Sequence, residues 1–192
     1  FPSYDFAIFV AYLTMIPAVA YFSVFVETVF YEEQKSYLSA IENKKDLWHI
    51  KTRARALFLS FLKSVFNVFV FQLIVALLFL LILTPSFDYF KISLESIPLL
   101  RISLFCALLQ LVLQVIIIFI YYFDFQKEAL FVTLFAFISN LTITLFLKDA
   151  SFATVGYSYF ISLVLSILFA LGIAFYKLKR INYYIFMNGE VL

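Results

Sequence analysis

Five runs of the chain carry no charged residue, at 6–26, 64–87, 102–123, 129–147 and 150–176. A helix rises about 1.5 Å per residue, so roughly 20 residues cross the hydrocarbon core of a bilayer. Each run approaches or exceeds that length. The runs are apolar on every side, whereas the strands of a membrane barrel alternate apolar and polar over about 10 residues. The pattern predicts an all-α integral membrane protein, a single polytopic domain over 1–192 with about five transmembrane helices near 6–30, 56–84, 99–123, 129–147 and 153–176. Pro17 inside the first span predicts a kink.

The polar stretches set the expected orientation. Lys35, Lys44, Lys45, Lys51, Arg53 and Arg55 follow the first span, Lys63 stands at the entrance of the second, and Lys177, Lys179 and Arg180 follow the fifth. The connector 84–98 holds Lys91 alone, and the turn at Lys148 and Asp149 is nearly neutral. Short cytoplasmic loops hold the excess of Lys and Arg. The N-terminus is therefore expected outside and the C-terminal tail 177–192 inside, which also puts Lys127 on the cytoplasmic side. Residues 31–55 lack Gly and Pro and space Tyr31, Leu38, Ile41, Leu47, Trp48 and Ile50 roughly helically, so they are expected to form a cytoplasmic helical segment. Two arrangements of it stay open: a helix along the membrane surface or a solvated helical hairpin. The connector 84–98, bounded by Pro85 and Pro98, reads as an external loop with room for one short amphipathic turn.

Composition agrees with a membrane solvent. The chain is 65% hydrophobic and 21% aromatic with a mean hydropathy of +1.04, against about half apolar in an ordinary soluble domain. A net charge of +2, dispersed between apolar runs, argues against nucleic-acid binding. Cys106 is the single cysteine, so no intramolecular disulfide is possible, and it lies within a span. The chain opens on Phe1 with no basic n-region and no small-residue cleavage site, so the first run is not expected to be a signal peptide and the chain is expected to be part of something longer.

Candidate chemistry is sparse. His49, the single histidine, sits among basic residues in DLWHIKTR, which makes a metal site unexpected. No GxSxG, P-loop or HExxH pattern occurs. Glu32 and Glu33 are adjacent and point to different sides of a helix. No catalytic residue, cofactor or metal is expected. Polar groups inside the spans are more informative, because each needs a partner away from lipid. Asn67 and Gln72 lie on the second span, Gln110 and Gln114 on the third, and Asn140, Thr142 and Thr144 on the fourth. Gln110 and Gln114 are four apart and share a helix face. Asn67, Gln72, Gln110, Gln114 and Asn140 are candidates for a polar route through the bundle; the other reading is that these amides tie helices together.

Specific strings carry a resemblance. The stretch DFAIFVAYLTMIPAVAYFSVFVETVFYEEQKSYLSAIENKKDL resembles the PelG family, through Glu27, Thr28, Phe30, Tyr31, Tyr37, Ala40 and Ile41. YYFDFQKEAL is similar to that family's YxD-plus-basic turn through Tyr122, Asp124 and Lys127. NLTITLF with Asn140, VGYSYF with Gly156 and Tyr157, and INYYIFMNG with Tyr183, Phe186 and Met187 follow in the family's order. The resemblance implies the C-terminal portion of a larger flippase-like bundle of about twelve helices in the bacterial inner membrane. It implies transport of a growing amino-sugar exopolysaccharide during biofilm formation. The implied partners are membrane lipid, the polysaccharide, a cytoplasmic glycosyltransferase and membrane subunits that sense a cyclic dinucleotide. On that reading Lys44, Lys45, Lys51, Arg53 and Arg55 are the expected docking surface for the synthase. Another lipid-linked sugar flippase and a non-transporting anchor for a synthase are the alternatives. A membrane enzyme is disfavoured by the shortage of acids and histidine.

Overall fold

The computed structural model describes residues 2–86, 96–147 and 155–188, and every described element is helical. The expected external loop falls mostly outside these residues, as does the turn at Lys148 and Asp149. The helices are α1 Pro2–Leu13, α2 Met15–Tyr21, a π-helical turn Phe22–Val26, α3 Glu27–Glu42, α4 Leu47–Ser86, α5 Ser96–Tyr122, α6 Gln126–Phe146, α7 Val155–Lys179 and α8 Ile181–Asn188. Among the described residues five helical stretches are long and apolar enough to cross a membrane, and the protein is an all-α membrane protein.

The first span is interrupted where its proline predicts. Pro17 has no N–H to donate to the carbonyl of Leu13 and its ring crowds that carbonyl, so α1 ends at Leu13 and α2 begins at Met15. Thr14, between them, turns its hydroxyl onto the carbonyl of Ala11 at 2.6 Å. The π turn at Phe22–Val26 follows, and Phe22, Val26 and Phe30 then all point into the bundle.

Residues 31–55 do not form one separate helix. α3 prolongs the first span to Glu42, and α4 starts at Leu47 and continues into the second span without a break. The two close into a hairpin at 43–46. Lys44 adopts a left-handed conformation (φ 48°), with its N–H on Ile41 O and that of Lys45 on Ala40 O, the bonding of a Schellman cap. α5 ends the same way: Asp124 is left-handed (φ 58°), its N–H on Tyr121 O and that of Phe125 on Ile120 O. Residues 181–188 of the tail form α8, which is tied to the bundle by the burial of Ile181 and by Asn182 Oδ1 accepting a 2.7 Å bond from the Tyr37 hydroxyl.

α5 is the central helix, packing against α1, α4, α6 and α7. Of its most apolar stretch 56% is buried, against 11% for α6, whose Leu130, Phe131, Phe137 and Leu145 face outward. Phe119 of α5, fully buried, meets the rings of Phe30 at 4.4 Å, Phe61 at 5.5 Å and Phe22 at 5.8 Å. Lipid is as apolar as these side chains, so close packing and polar ties, rather than water exclusion, hold such helices together. At one end of the bundle the ties include a charged group or a backbone carbonyl each: Tyr122 donates to Glu27, Gln34 Nε2 donates to Tyr122 O at 2.7 Å, and Lys177 pairs with Glu128. That end also carries the 43–46 hairpin.

Candidate functional site

At the opposite end lies a partly open cavity of about 340 Å³. Helical spacing builds its walls. α1 contributes Ile8, Ala11 and Tyr12, α5 contributes Ser103, Cys106 and Ala107, α6 contributes Asn140 and Thr144, and α7 contributes Gly156, Ser158 and Tyr159. Residues three and four apart share a face, so each helix presents one turn to the same space. Gly156 sets how near α7 comes to α5. A Cβ there would lie 2.7 Å from Ile102 Cγ2, and the Cys106 thiol sits 3.8 Å from Gly156 O.

The polar groups of this cavity are uncharged. Tyr12, Ser103, Thr144, Ser158 and Tyr159 bring hydroxyls, and Asn140 brings an amide. Hydroxyls both donate and accept, and an amide offers two of each. They are held by a network: Thr144 Oγ1 lies 3.3 Å from Ser158 Oγ and 3.5 Å from Asn140 Oδ1, and Ser139 and Ser162 hydroxyls join α6 to α7 at 2.9 Å. Tyr159 donates to Gln110 Oε1 at 2.7 Å. Two aromatic rings, the apolar side chains of Ile8, Ala11 and Ala107 and the neutral polar groups suit a hydroxyl-rich ligand rather than an ionic one.

The sequence candidates separate. Asn140 lines the cavity, and Gln110 stands behind its wall, holding Tyr159. Gln114 is exposed on α5, although one helical turn from Gln110. Gln72 is fully buried elsewhere, its Nε2 on Thr14 Oγ1 at 3.1 Å, with no partner for Oε1 among the described residues. Asn67 is half-buried on α4 and does not reach the cavity. Lys44, Lys45, Lys51, Arg53 and Arg55 are all exposed at the other end, with Lys51 and Arg55 in a cleft of their own. Among the described residues no cluster of His, Cys, Asp and Glu could hold a metal.

Tyr12, Ser103, Ser158 and Tyr159 were missed by sequence reasoning. A tyrosine in an apolar run reads equally well as an interface anchor, and serine is common where helices pack closely. The signal present was the crowding of Ser158 and Ser162 with Gly156 at the start of one span.

A family model for PelG, described as "Putative exopolysaccharide Exporter (EPS-E)", matches residues 1–186. The chain belongs to the PelG family. No curated protein and no solved structure matches it. The PelG assignment makes this a multi-pass membrane protein of exopolysaccharide export. Two of the strings that carry the PelG resemblance meet in the fold: Glu27 accepts from Tyr122, and Gln34 donates to the Tyr122 carbonyl.

Proposed function

We propose that the protein moves a growing amino-sugar exopolysaccharide of the Pel type across the bacterial inner membrane during formation of a biofilm matrix, and that it is a transporter and not an enzyme. The observation that carries this reading is the neutral, hydroxyl-lined and aromatic cavity of about 340 Å³ lined by α1, α5, α6 and α7. On the expected orientation the basic end is cytoplasmic and the cavity lies in the outer half of the membrane. Asn140 and Tyr159 touch the polymer, Gln110 positions Tyr159, and Asn67, Gln72 and Gln114 belong to the rest of the route. The exposed Lys44, Lys45, Lys51, Arg53 and Arg55 around the hairpin are the surface for the cytoplasmic glycosyltransferase and its cyclic-dinucleotide-sensing membrane partners.

A second reading, a non-transporting anchor of the synthase, is favoured by one observation: the Gln72 and Gln110 amides bond to Thr14 and Tyr159 within the bundle. Secretion separates the two. Cells carrying the synthase genes and an Asn140→Leu/Tyr12→Phe variant are expected to assemble the synthase normally, release less polymer and retain polymer inside. Unchanged secretion with the variant present at wild-type level in the membrane would remove the transport reading and leave the anchor.

A further inference from the structure

The basic end holds a second cavity, a cleft of about 380 Å³ between the first turns of α4 and the junction of α7 with α8. Its walls are of two kinds. Lys51 and Arg55, one helical turn apart on α4, and Lys179 at the end of α7 bring three cations to it. Phe58, Leu178 and Ile181 form an apolar wall.

Neighbouring cations are engaged elsewhere. Lys177 pairs with Glu128, and Arg180 donates to the Tyr176 hydroxyl at 2.8 Å while stacking over its ring. Lys51, Arg55 and Lys179 have no carboxylate partner among the described residues, and no carboxylate lines the cleft. Three converging cations without a counter-ion repel one another, and an anion relieves that. The position fixes what kind of anion. The uncharged run of α7 ends at Tyr176, and Phe58 meets the ring of Phe175 in that run at 5.6 Å. Phe58 and Leu178 therefore stand at the edge of the apolar layer, with Lys51, Arg55 and Lys179 just outside it; farther along α4 Lys63 is the one charge among the described residues. A soluble partner has no use for an apolar wall that continues into the membrane.

We propose that this cleft binds a phosphate ester, that of an anionic phospholipid headgroup, with Lys51, Arg55 and Lys179 on the phosphate and an acyl chain along Phe58, Leu178 and Ile181. The site does not depend on the export reading. It divides the basic segment in two: Lys51 and Arg55 serve the lipid, while Lys44, Lys45 and Arg53 stay on the open surface.

The test is native mass spectrometry of the purified full chain in neutral detergent, titrated with phosphatidylglycerol or phosphatidylcholine. Wild type retains phosphatidylglycerol in preference, and Lys51→Gln/Arg55→Gln/Lys179→Gln lowers its retention by about tenfold or more, since each cation near a lipid surface attracts it strongly. The control Lys44→Gln/Lys45→Gln/Arg53→Gln removes the same charge outside the cleft and keeps wild-type retention. All six positions are exposed, so both variants fold. Equal losses in the two variants, or no headgroup preference in wild type, would overturn the site. Displacement of the lipid by soluble glycerol phosphate at comparable concentration would reassign it to a soluble phosphate ester and overturn the lipid assignment.

Discussion

The Tyr159 hydroxyl donates to Gln110 Oε1 at 2.7 Å, joining α7 to the central helix α5 at the back of the cavity. Interhelical bonds of this kind contribute about 0.6–2 kcal/mol in membrane proteins. Tyr159→Phe and Gln110→Leu should each lower stability by about 1 kcal/mol, because each removes the bond between the two helices. The double variant should cost clearly less than the sum, since the one bond is lost only once. Thermal unfolding of the four proteins in one detergent measures the coupling, and strictly additive losses would mean that the bond is not made.

Gln72 gives the contrasting case. Its Nε2 reaches Thr14 at 3.1 Å, yet its Oε1 is buried without a partner among the described residues, and Thr14 already donates to Ala11. Gln72→Leu removes one bond and one unsatisfied oxygen together at similar volume. Its unfolding midpoint should stay within the range set by about 1 kcal/mol of wild type, or rise. A loss of 3 kcal/mol or more would show that the amide has a second partner.

Much of this was legible from the chain. Apolar runs give five spanning helices, and Pro17 marks the break at Thr14, because both depend on local composition and on a missing N–H. The extent of the helices was less legible: nothing in 31–55 signals that its two halves prolong the flanking spans, since a left-handed cap at Lys44 lacks the usual glycine. The site was half legible. Asn140 stands out as an amide in lipid, whereas Tyr12 and Tyr159 become cavity residues only through the packing of α1 and α7 on α5. Gln114 shares a face with Gln110 in sequence and still lies exposed, because helix rotation is set by neighbours that periodicity does not encode.

Both hairpin caps store strain that glycine would release. Lys44 and Asp124 sit at φ 48° and 58°, where a Cβ crowds the following carbonyl. Lys44→Gly should stabilise the protein by up to about 1 kcal/mol, Asp124→Gly by less because it also removes the bond that Asp124 Oδ1 accepts from Gln126 Nε2 at 2.8 Å, and Lys44→Val should destabilise it by about 1 kcal/mol or more. Denaturation of the three variants checks the sign; a destabilising Lys44→Gly would mean that the lysine makes a compensating contact.

The approach of α7 to α5 depends on Gly156. Its missing side chain leaves room for Ile102, whose Cγ2 would be 2.7 Å from a Cβ and whose own Cβ would be 3.6 Å away. Gly156→Ala should cost about 1–3 kcal/mol through forced displacement of a β-branched side chain. Adding Ile102→Ala should recover part of that loss, since the remaining contact is ordinary. Stability of the single and double variants decides it, and a double variant worse than both singles combined would place the clash elsewhere.

Orientation decides which compartment the cavity serves, and the two ends of the bundle differ enough in charge to fix an expectation. The hairpin end gathers Lys35, Lys44, Lys45, Lys51, Arg53, Arg55, Lys177, Lys179 and Arg180, whereas the connector 84–98 holds only Lys91. Translocated short loops are poor in Lys and Arg. Lys45→Cys and Pro98→Cys, both at exposed positions, can be made in a Cys106→Ser background that leaves a single thiol in each. A membrane-impermeant maleimide applied to spheroplasts should label Pro98→Cys at once and Lys45→Cys only after lysis. The reverse pattern would invert the topology, put the hydroxyl-lined cavity on the cytoplasmic side and make it an entry site for the polymer rather than a site near its exit.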